Sequence, residues 1–257
     1  MVVAIIGILA SLLLPTLANA KRTAVRTSCL SNLRQLSVAT TMYAGESNGK
    51  LVSSWPLGKG PDPVNVDCWC PGWASITQPY DASYGPAPQF AATNVYALQQ
   101  GKLWPYLGGP GVYRCPSDKR AVQGQPVVRS YSMNCWMNGR SDTDPTGRSN
   151  YRTPAKDGSL TFTLFRRENQ IKQPSQMWVL IDEDESSIND SLFAVSMAED
   201  RNGMYDMPSN RHGSKYCLSF ADGHMDTIKM VAPRTDWNSP GDADWVRLKS
   251  MTTVPRQ

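Results

Sequence analysis

The sequence predicts an α+β fold, in which one long N-terminal helix packs on a small antiparallel β-sheet with long irregular loops. Three observations support this prediction. An uncharged apolar run opens the chain and continues directly into an amphipathic helical pattern. A proline-rich region follows, and several short strand patterns occupy the remainder. We therefore divide the chain into a hydrophobic helical stem (1–24), an amphipathic continuation of the helix (25–45) and a globular head (46–257).

The stem is apolar on every side, so its environment must be lipid or further copies of the same stem. Its first eighteen residues carry no charge, which is near the short end of a membrane-spanning length. Pro15 lacks an amide hydrogen, and this predicts a kink or local unwinding. The residues that we assign to anchoring and polymerisation are Val2, Val3, Ile5, Ile6, Gly7, Ile8, Leu9, Leu12, Leu13, Leu14, Pro15 and Leu17.

The continuation has one apolar face. Apolar or half-apolar residues recur there at spacings of three and four, which predicts a helix lying on a globular domain. These residues are Val25, Cys29, Leu33, Leu36, Thr40 and Tyr43, with Leu30, Ala39 and Met42 widening the stripe. Gly45 is the predicted end of the helix.

The head begins with a loop-rich insertion, 51–90, that contains seven prolines and is expected to be irregular. Its tryptophans, Trp55, Trp69 and Trp73, are expected to fill the core, and the alternative is a surface that binds a glycan or a partner. Beyond it, the patterns predict a short helix within 91–107 and strands at 112–115, 127–133, 160–165, 177–181, 216–221 and 224–230. A helical turn is expected at 242–249.

Charge and motifs argue against several function classes. The net charge is +4, but Lys21, Arg22, Arg26 and Arg34 all lie in the helix, so the head is nearly neutral and nucleic acid is not an expected partner. The chain has no phosphate-binding glycine loop and no nucleophile elbow. His212 beside Ser214 or Cys217 is the nearest catalytic arrangement. We therefore predict a protein that is not an enzyme and requires no cofactor.

Several acidic, histidine and cysteine residues are candidates for a metal site or a disulfide. If the strand at 177–181 lies beside the one at 216–221, Asp182 approaches Asp222, and these carboxylates with Glu183 are the candidate ligands of a Ca²⁺ ion. Acidic ligands together with a histidine are the alternative, and they would hold a transition metal. The preferred interpretation is structural, with Asp222 and Gly223 forming a hairpin turn and His212 fixing its loop. Zinc is disfavoured, because Cys68-x-Cys70 has no second pair and the chain has only two histidines. Six cysteines suit an oxidising compartment, and Cys29–Cys115 is the first candidate for a disulfide.

Several segments resemble, in order, those of the type IV pilin and type II secretion pseudopilin superfamily. They are MVVAIIGILASLLLPTLANAKR, SCLSNLRQL, MYAGESNGKL, YRCPSD (113–118), RSYSMN (129–134), PSQMWVLIDE (174–183) and RHGSKYCLSFADGH (211–224). The set is most similar to the prepilin-like family of planctomycetes, lentisphaerae and verrucomicrobia, which has a C-terminal His-x9-Asp-Gly element. The matching signature residues are Cys115, Pro116, Asp118, Asn134, His212, Asp222 and Gly223.

This resemblance implies a pilin-like fold and a structural subunit of a type IV pilus-like extracellular filament, which polymerises through the stem. The implied partners are identical subunits, the inner membrane before assembly, the assembly machinery and prepilin peptidase. It also implies a basic leader and an FTLIEL-like segment with its processing site ahead of Met1. The alternatives are a periplasmic pseudopilin of a secretion piston and a monomeric membrane-anchored protein that binds a glycan or a partner.

Overall fold

The computed structural model of the chain describes residues 2–57, 65, 67–139, 162–197, 205–231 and 242–256. Its α+β architecture confirms the predicted fold class: a long N-terminal helix packs against a five-stranded, mostly antiparallel sheet with long loops. Helix α1 (Val2–Glu46) is assigned as one unbroken helix, so the local unwinding expected at Pro15 is not found. Within the described residues, no helix combines the length and hydropathy expected of a membrane-spanning segment.

The second half of α1 lies on the sheet through the predicted stripe. Cys29, Leu33, Leu36 and Ala39 are almost fully buried and belong to the core between the helix and the sheet. Met42 was expected to widen this stripe, but about half of its surface is exposed. The buried stripe is therefore narrower than predicted on the side of Met42.

The main sheet has the strand order β5–β3–β4–β6–β7. Its strands are β3 (Tyr131–Asn134), β4 (Trp178–Asp182), β5 (Leu192–Phe193), β6 (Lys215–Phe220) and β7 (Met225–Lys229). All neighbours are antiparallel except β3 and β5, which are parallel. A separate two-stranded hairpin joins β1 (Ala121–Val122) to β2 (Gln125–Pro126).

Both faces of the sheet are covered. Side chains alternate across a strand, so Cys217 of β6 packs with the α1 core while Tyr216 and Leu218 pack in a second core on the other face. That second core also receives Trp245 and Leu248 of helix α3 (Ala243–Ser250), which was predicted as a helical turn.

The other sequence predictions have mixed outcomes. The strands predicted at 177–181, 216–221 and 224–230 correspond to β4, β6 and β7, and the short helix is α2 (Val95–Gln99). The strand predicted at 112–115 is wrong, because a 3-10 helix occupies Pro110–Tyr113. Of the strand predicted at 160–165, residues 160 and 161 lie outside the described residues, and 162 and 165 form only isolated bridges.

Candidate metal centre

Four buried side chains bring metal-ligand atoms together between α1 and the sheet. They are Cys29, Cys115, Asp182 and His212, and their ligand atoms all lie within 4.8 Å of one another. Cys29 comes from α1, Cys115 from the segment after the 3-10 helix, Asp182 from the end of β4 and His212 from the turn ahead of β6. The cluster therefore lies where the helix, the sheet and two loops meet.

The histidine ring nitrogen lies between a thiol and a carboxylate. The Cys115 Sγ atom is 3.3 Å from His212 Nε2, and the same nitrogen is 3.3 Å from Asp182 Oδ2. The Cys29 Sγ atom is 3.8 Å from that same carboxylate oxygen. The four ligand atoms thus surround one small volume rather than forming a line.

Backbone geometry holds the two loop residues in place. The amide of Cys115 donates a hydrogen bond of 3.1 Å to Ser130 Oγ. After His212, Gly213 and Ser214 have φ values of 73° and 57°, the left-handed region that favours glycine, and they return the chain into β6. The histidine side chain is thereby directed inward from a tight turn, with only 1% of its surface exposed.

An arginine orients the carboxylate of the cluster. Arg211 donates a hydrogen bond from Nη2 to Asp182 Oδ1, which leaves Oδ2 for the thiol and the imidazole. The same nitrogen donates to the Glu183 backbone oxygen at 2.6 Å. Arg211 Nη1 lies 3.8 Å from Asp118 Oδ2, and Arg120 donates to both oxygens of Asp118. A ring of buried charges therefore supports the ligands.

Burial and hydrogen bonding shift the ionisation of the cluster. A hydrogen bond with Cys29 lowers the pKa of the Cys115 thiol to about 6, while burial raises the pKa of Cys29 well above its usual range. Burial alone would lower the pKa of His212, but its hydrogen bonds to Asp182 and Cys115 outweigh burial and raise that pKa to about 10. A lowered pKa at Cys115 beside a raised pKa at His212 favours a thiolate next to an imidazolium, so metal binding would require His212 and Cys29 to lose their protons.

Two further side chains contact the Cys29 sulfur. The Tyr131 hydroxyl donates to Cys29 Sγ at 3.3 Å. Cys217 in β6 also shares a hydrogen bond with Cys29, which places a third thiol at the edge of the cluster. The Tyr131 hydroxyl is thus a donor to the Cys29 sulfur, whereas the Cys29 thiol itself donates to Cys217 and lowers the pKa of that second thiol.

The residues predicted to bind calcium do not converge. Because β4 and β6 are antiparallel, with Ile181 opposite Leu218, Asp182 lies near Cys217 and Asp222 lies beyond the opposite end of β4. Roughly 13 Å of strand separates these positions. The expected approach of Asp182 to Asp222 is therefore wrong.

Asp222 and Glu183 have other surroundings. Asp222 is exposed, accepts a hydrogen bond from the His224 amide and contacts its ring nitrogen at 2.6 Å. It borders a cavity of about 280 Å³ that Thr40 and Ile171 also line. Glu183 is fully buried, and Ser187, in the turn after β4, donates a hydrogen bond of 3.0 Å to its carboxylate.

The signature residues divide between the cluster and structural positions. Cys115, Asp118 and His212 belong to the cluster or its supporting ring. The Asn134 amide donates to the backbone oxygens of Trp178 and Thr252 and so ties β3 to β4 and to the segment after α3. Pro116 is exposed beside Cys115, and Gly223 has a φ of 88° in the β6–β7 turn, as the hairpin prediction required.

The disulfide between Cys29 and Cys115 stays a prediction. All six cysteines are free and buried in the structure, and the sulfurs of this pair lie in the same cluster. A bridge or a shared metal ion are thus two alternative uses of the same two thiols.

The tryptophans of the insertion face inward. Trp55, Trp69 and Trp73 are each less than a tenth exposed. Trp69 donates from Nε1 to the Ser191 backbone oxygen at 2.9 Å and stacks on Tyr113. These aromatics therefore fill the core, and they do not form an exposed surface for a glycan.

Comparisons with known proteins identify no relative. No family model, curated protein or solved structure matches the chain.

Sequence reasoning missed the four-residue cluster as a unit. The cysteine spacing had set zinc aside, yet Cys29 was already on the buried stripe, and Cys115 and His212 were already singled out. The cluster could have been predicted from one feature of the sequence. Cys29 lies on the buried stripe of the helix, and the strand predicted at 177–181 is followed directly by Asp182.

Proposed function

We propose that the chain is a structural subunit of a pilin-like filament that polymerises through the first half of α1. The observation that carries this proposal is the contrast within one helix. The large apolar side chains that the structure describes in the stem, from Ile6 to Leu17, are exposed, whereas the continuation buries its apolar face on the head. A surface of this kind is characteristic of an unfilled interaction site.

The exposed leucines occupy slightly more than half of the circumference of the stem. Leu12, Leu13 and Leu14 are each 66% exposed, and Leu17 is 68% exposed. Consecutive residues are about 100° apart around a helix, so these leucines spread over roughly 200° of its circumference, and Ser11 and Asn19 lie on the remaining side. A single flat partner would not cover such a stem, but several surrounding stems would. Val2, Val3, Ile5 and Ile8 also belong to the predicted stem, but their side chains lie outside the described residues.

Burial of the stem is the proposed driving force of assembly. Removing apolar surface from water contributes about 25 cal/mol per Å². If the stem waits in the inner membrane, that gain is already present, because lipid tails are as apolar as leucine. Transfer from lipid into a filament then needs an assembly machine or complementary polar pairs. The final location proposed for the protein is the cell surface.

A short pseudopilin piston would use the same stem in the periplasm. The monomeric glycan-binding alternative loses its main support, because the three tryptophans on which it depended are buried. The filament therefore remains the best-supported function, and the piston differs from it in length and location.

The first test is electron microscopy of material sheared from the source cells, with mass spectrometry of the same fraction. Filaments that contain this chain are the expected result. If the chain remains entirely in the membrane fraction and no filaments appear, the filament proposal fails.

A labelling experiment tests whether the stem forms the interior. In sheared, lipid-free filaments, a Leu13→Cys thiol is expected to be protected from a maleimide and to react once detergent separates the subunits. The matched control is Val231→Cys, on a head residue that is 75% exposed. Equal reactivity of the two thiols in intact filaments would contradict a core made of stems.

A further inference from the structure

We propose that Cys29, Cys115, Asp182 and His212 form a binding site for a zinc ion, which fastens α1 to the head. This inference is independent of the filament proposal. It rests on the geometry of the four ligand atoms, on the charges around them and on the four chain segments that supply them.

The ligand spacing matches a tetrahedral site. Zinc bonds to sulfur are about 2.3 Å long and those to nitrogen or oxygen about 2.0–2.2 Å, so the ligand atoms of a tetrahedron lie roughly 3.3–3.8 Å apart. The corresponding separations in the structure are 3.3 Å for Cys115–His212, 3.3 Å for His212–Asp182 and 3.8 Å for Cys29–Asp182. The other three pairs lie within 4.8 Å of each other, so an ion at the centre would draw them closer by at most about 1 Å.

The donor types select the metal. Two sulfurs and an imidazole suit zinc and other borderline or soft metals, whereas Ca²⁺ takes six to eight oxygen ligands. Four protein ligands in a closed, buried position are typical of a structural zinc site. We therefore commit to zinc and not to calcium.

The charges around the cluster balance when zinc is bound. Two thiolates, the Asp182 carboxylate and a neutral imidazole leave the Zn²⁺ complex with one negative charge. Arg211, which bonds the other oxygen of Asp182, supplies the compensating positive charge. The Tyr131 hydroxyl in turn donates to the Cys29 sulfur. Oriented outer partners of this kind are a regular feature of metal sites.

A catalytic thiol explains the geometry less well. In a Cys–His–Asp triad, the thiol and the carboxylate contact different ring nitrogens of the histidine. Here Cys115 and Asp182 both contact Nε2 of His212. The cluster is also buried under α1, so a substrate has no direct approach to the sulfur. Convergence on one nitrogen favours a shared ion.

The proposed role follows from chain connectivity. The four ligands come from α1, two loops and β4, which are separated by up to 183 residues along the chain. A metal bound only by the folded chain adds its binding free energy to folding. Zinc would thus hold the start of the amphipathic continuation of α1 against the sheet.

The experiment uses the full-length chain in detergent, kept reduced, stripped of metal and then titrated with ZnCl₂ alone. We expect one zinc per chain by elemental analysis. Substitution with Co²⁺ is expected to give sulfur-to-cobalt charge-transfer absorption and the intense visible bands of a tetrahedral site. This spectrum needs no variant, so it tests the site even where a ligand substitution prevents folding.

Variants identify the ligands. Cys115→Ser and His212→Gln should each weaken zinc binding by at least roughly 100-fold, and Tyr131→Phe, which removes only a donor to sulfur, by roughly 10-fold. Cys70→Ser is the matched control. Cys70 is also a buried free thiol, but it lies outside the cluster, so zinc binding should be unchanged.

Either of two results would overturn the proposal: the reduced wild-type chain is found to bind no zinc, or Cys115→Ser is found to bind zinc as tightly as the wild type does. The first result could be accompanied by a Cys29–Cys115 disulfide in the chain isolated without reductant. Such a disulfide would assign the same two thiols to a covalent bridge.

Discussion

Residues 2–24 and 25–46 belong to one continuous helix, yet their surroundings are opposite. In the first half, Leu13 and Leu17 are about two-thirds exposed, and in the second half Leu33 and Leu36 are completely buried. Leucine is therefore exposed at one position of the helix and buried at another, 23 residues further along. The difference lies in the polar residues between the leucines, which restrict the second half to a single apolar face.

This contrast separates two kinds of stabilisation. The second half of the helix folds together with the head, because its apolar stripe completes the core on β4 and β6. The first half makes no comparable contact among the described residues, so its stability depends on what surrounds it. Changes in the two halves should accordingly affect different measurements.

The largest expected effect is on assembly. Leu13→Glu would place an unpaired carboxylate among apolar stems, which costs several kcal/mol for each subunit, and filaments should be lost. The control is Met42→Glu, on an exposed position of the second half, which should still assemble. Counting filaments in sheared fractions by electron microscopy checks both. Filaments of normal abundance from Leu13→Glu would contradict the role of the stem.

The next effect is on the stability of the head. Leu33→Ala removes a fully buried side chain and should lower the free energy of unfolding by about 2–5 kcal/mol. Leu13→Ala, the matched change in the stem, should alter it by less than about 0.5 kcal/mol. Denaturant unfolding of the full-length chain in detergent, followed by tryptophan fluorescence, measures the difference. Equal losses would mean that the stem also folds onto the head.

The same contrast explains what could be predicted from the sequence. The stripe of α1 and the strands β4, β6 and β7 were predictable, because the spacing of apolar residues and the content of β-branched residues are local properties of the sequence. β5 was not, because Leu192–Phe193 is too short to show a pattern and pairs in parallel with β3. The strand expected at 112–115 failed because Pro110 and Gly111 favour a turn at that point.

The candidate site was only partly predictable, because it depends on strand direction. Residue types singled out Cys29, Cys115, Asp182 and His212 separately. The antiparallel register of β4 and β6 then determined that Asp182 meets His212 and that Asp222 lies at the far end. Register is a tertiary property, and no local spacing in the chain encodes which of the two carboxylates reaches the helix.

Zinc removal tests how the second half is fastened. A ligand at 100 times its dissociation constant stabilises the folded state by about 2.7 kcal/mol, so the zinc-loaded chain should unfold at higher denaturant than the stripped chain. In Cys115→Ser, added zinc should produce no such shift, whereas Cys70→Ser should respond as the wild type does. Thermal and denaturant midpoints with and without ZnCl₂ check this. A zinc-dependent shift that survives in Cys115→Ser would place the stabilising ion elsewhere.

The smallest effect concerns the face of the sheet opposite α1, where Asp206 accepts a hydrogen bond of 2.5 Å from the Ala194 amide. Burial and the nearby Asp190 raise the pKa of Asp206 well above its usual range. A carboxyl with a raised pKa in the folded state stabilises the fold below its unfolded pKa of about 3.9, and this contribution is lost as pH rises through the folded pKa. Stability should therefore fall over that range.

Asp206→Asn keeps an acceptor for the Ala194 amide and removes the charge. It should raise the free energy of unfolding at neutral pH by on the order of 1 kcal/mol and flatten its decline above pH 4. Denaturant unfolding between pH 4 and pH 8 measures both effects, with the exposed Asp226→Asn as the control. Because Asp206 packs away from α1, filament assembly should be unaffected. A loss of stability at neutral pH in Asp206→Asn would instead mean that the ionised carboxylate holds the segment at Ala194.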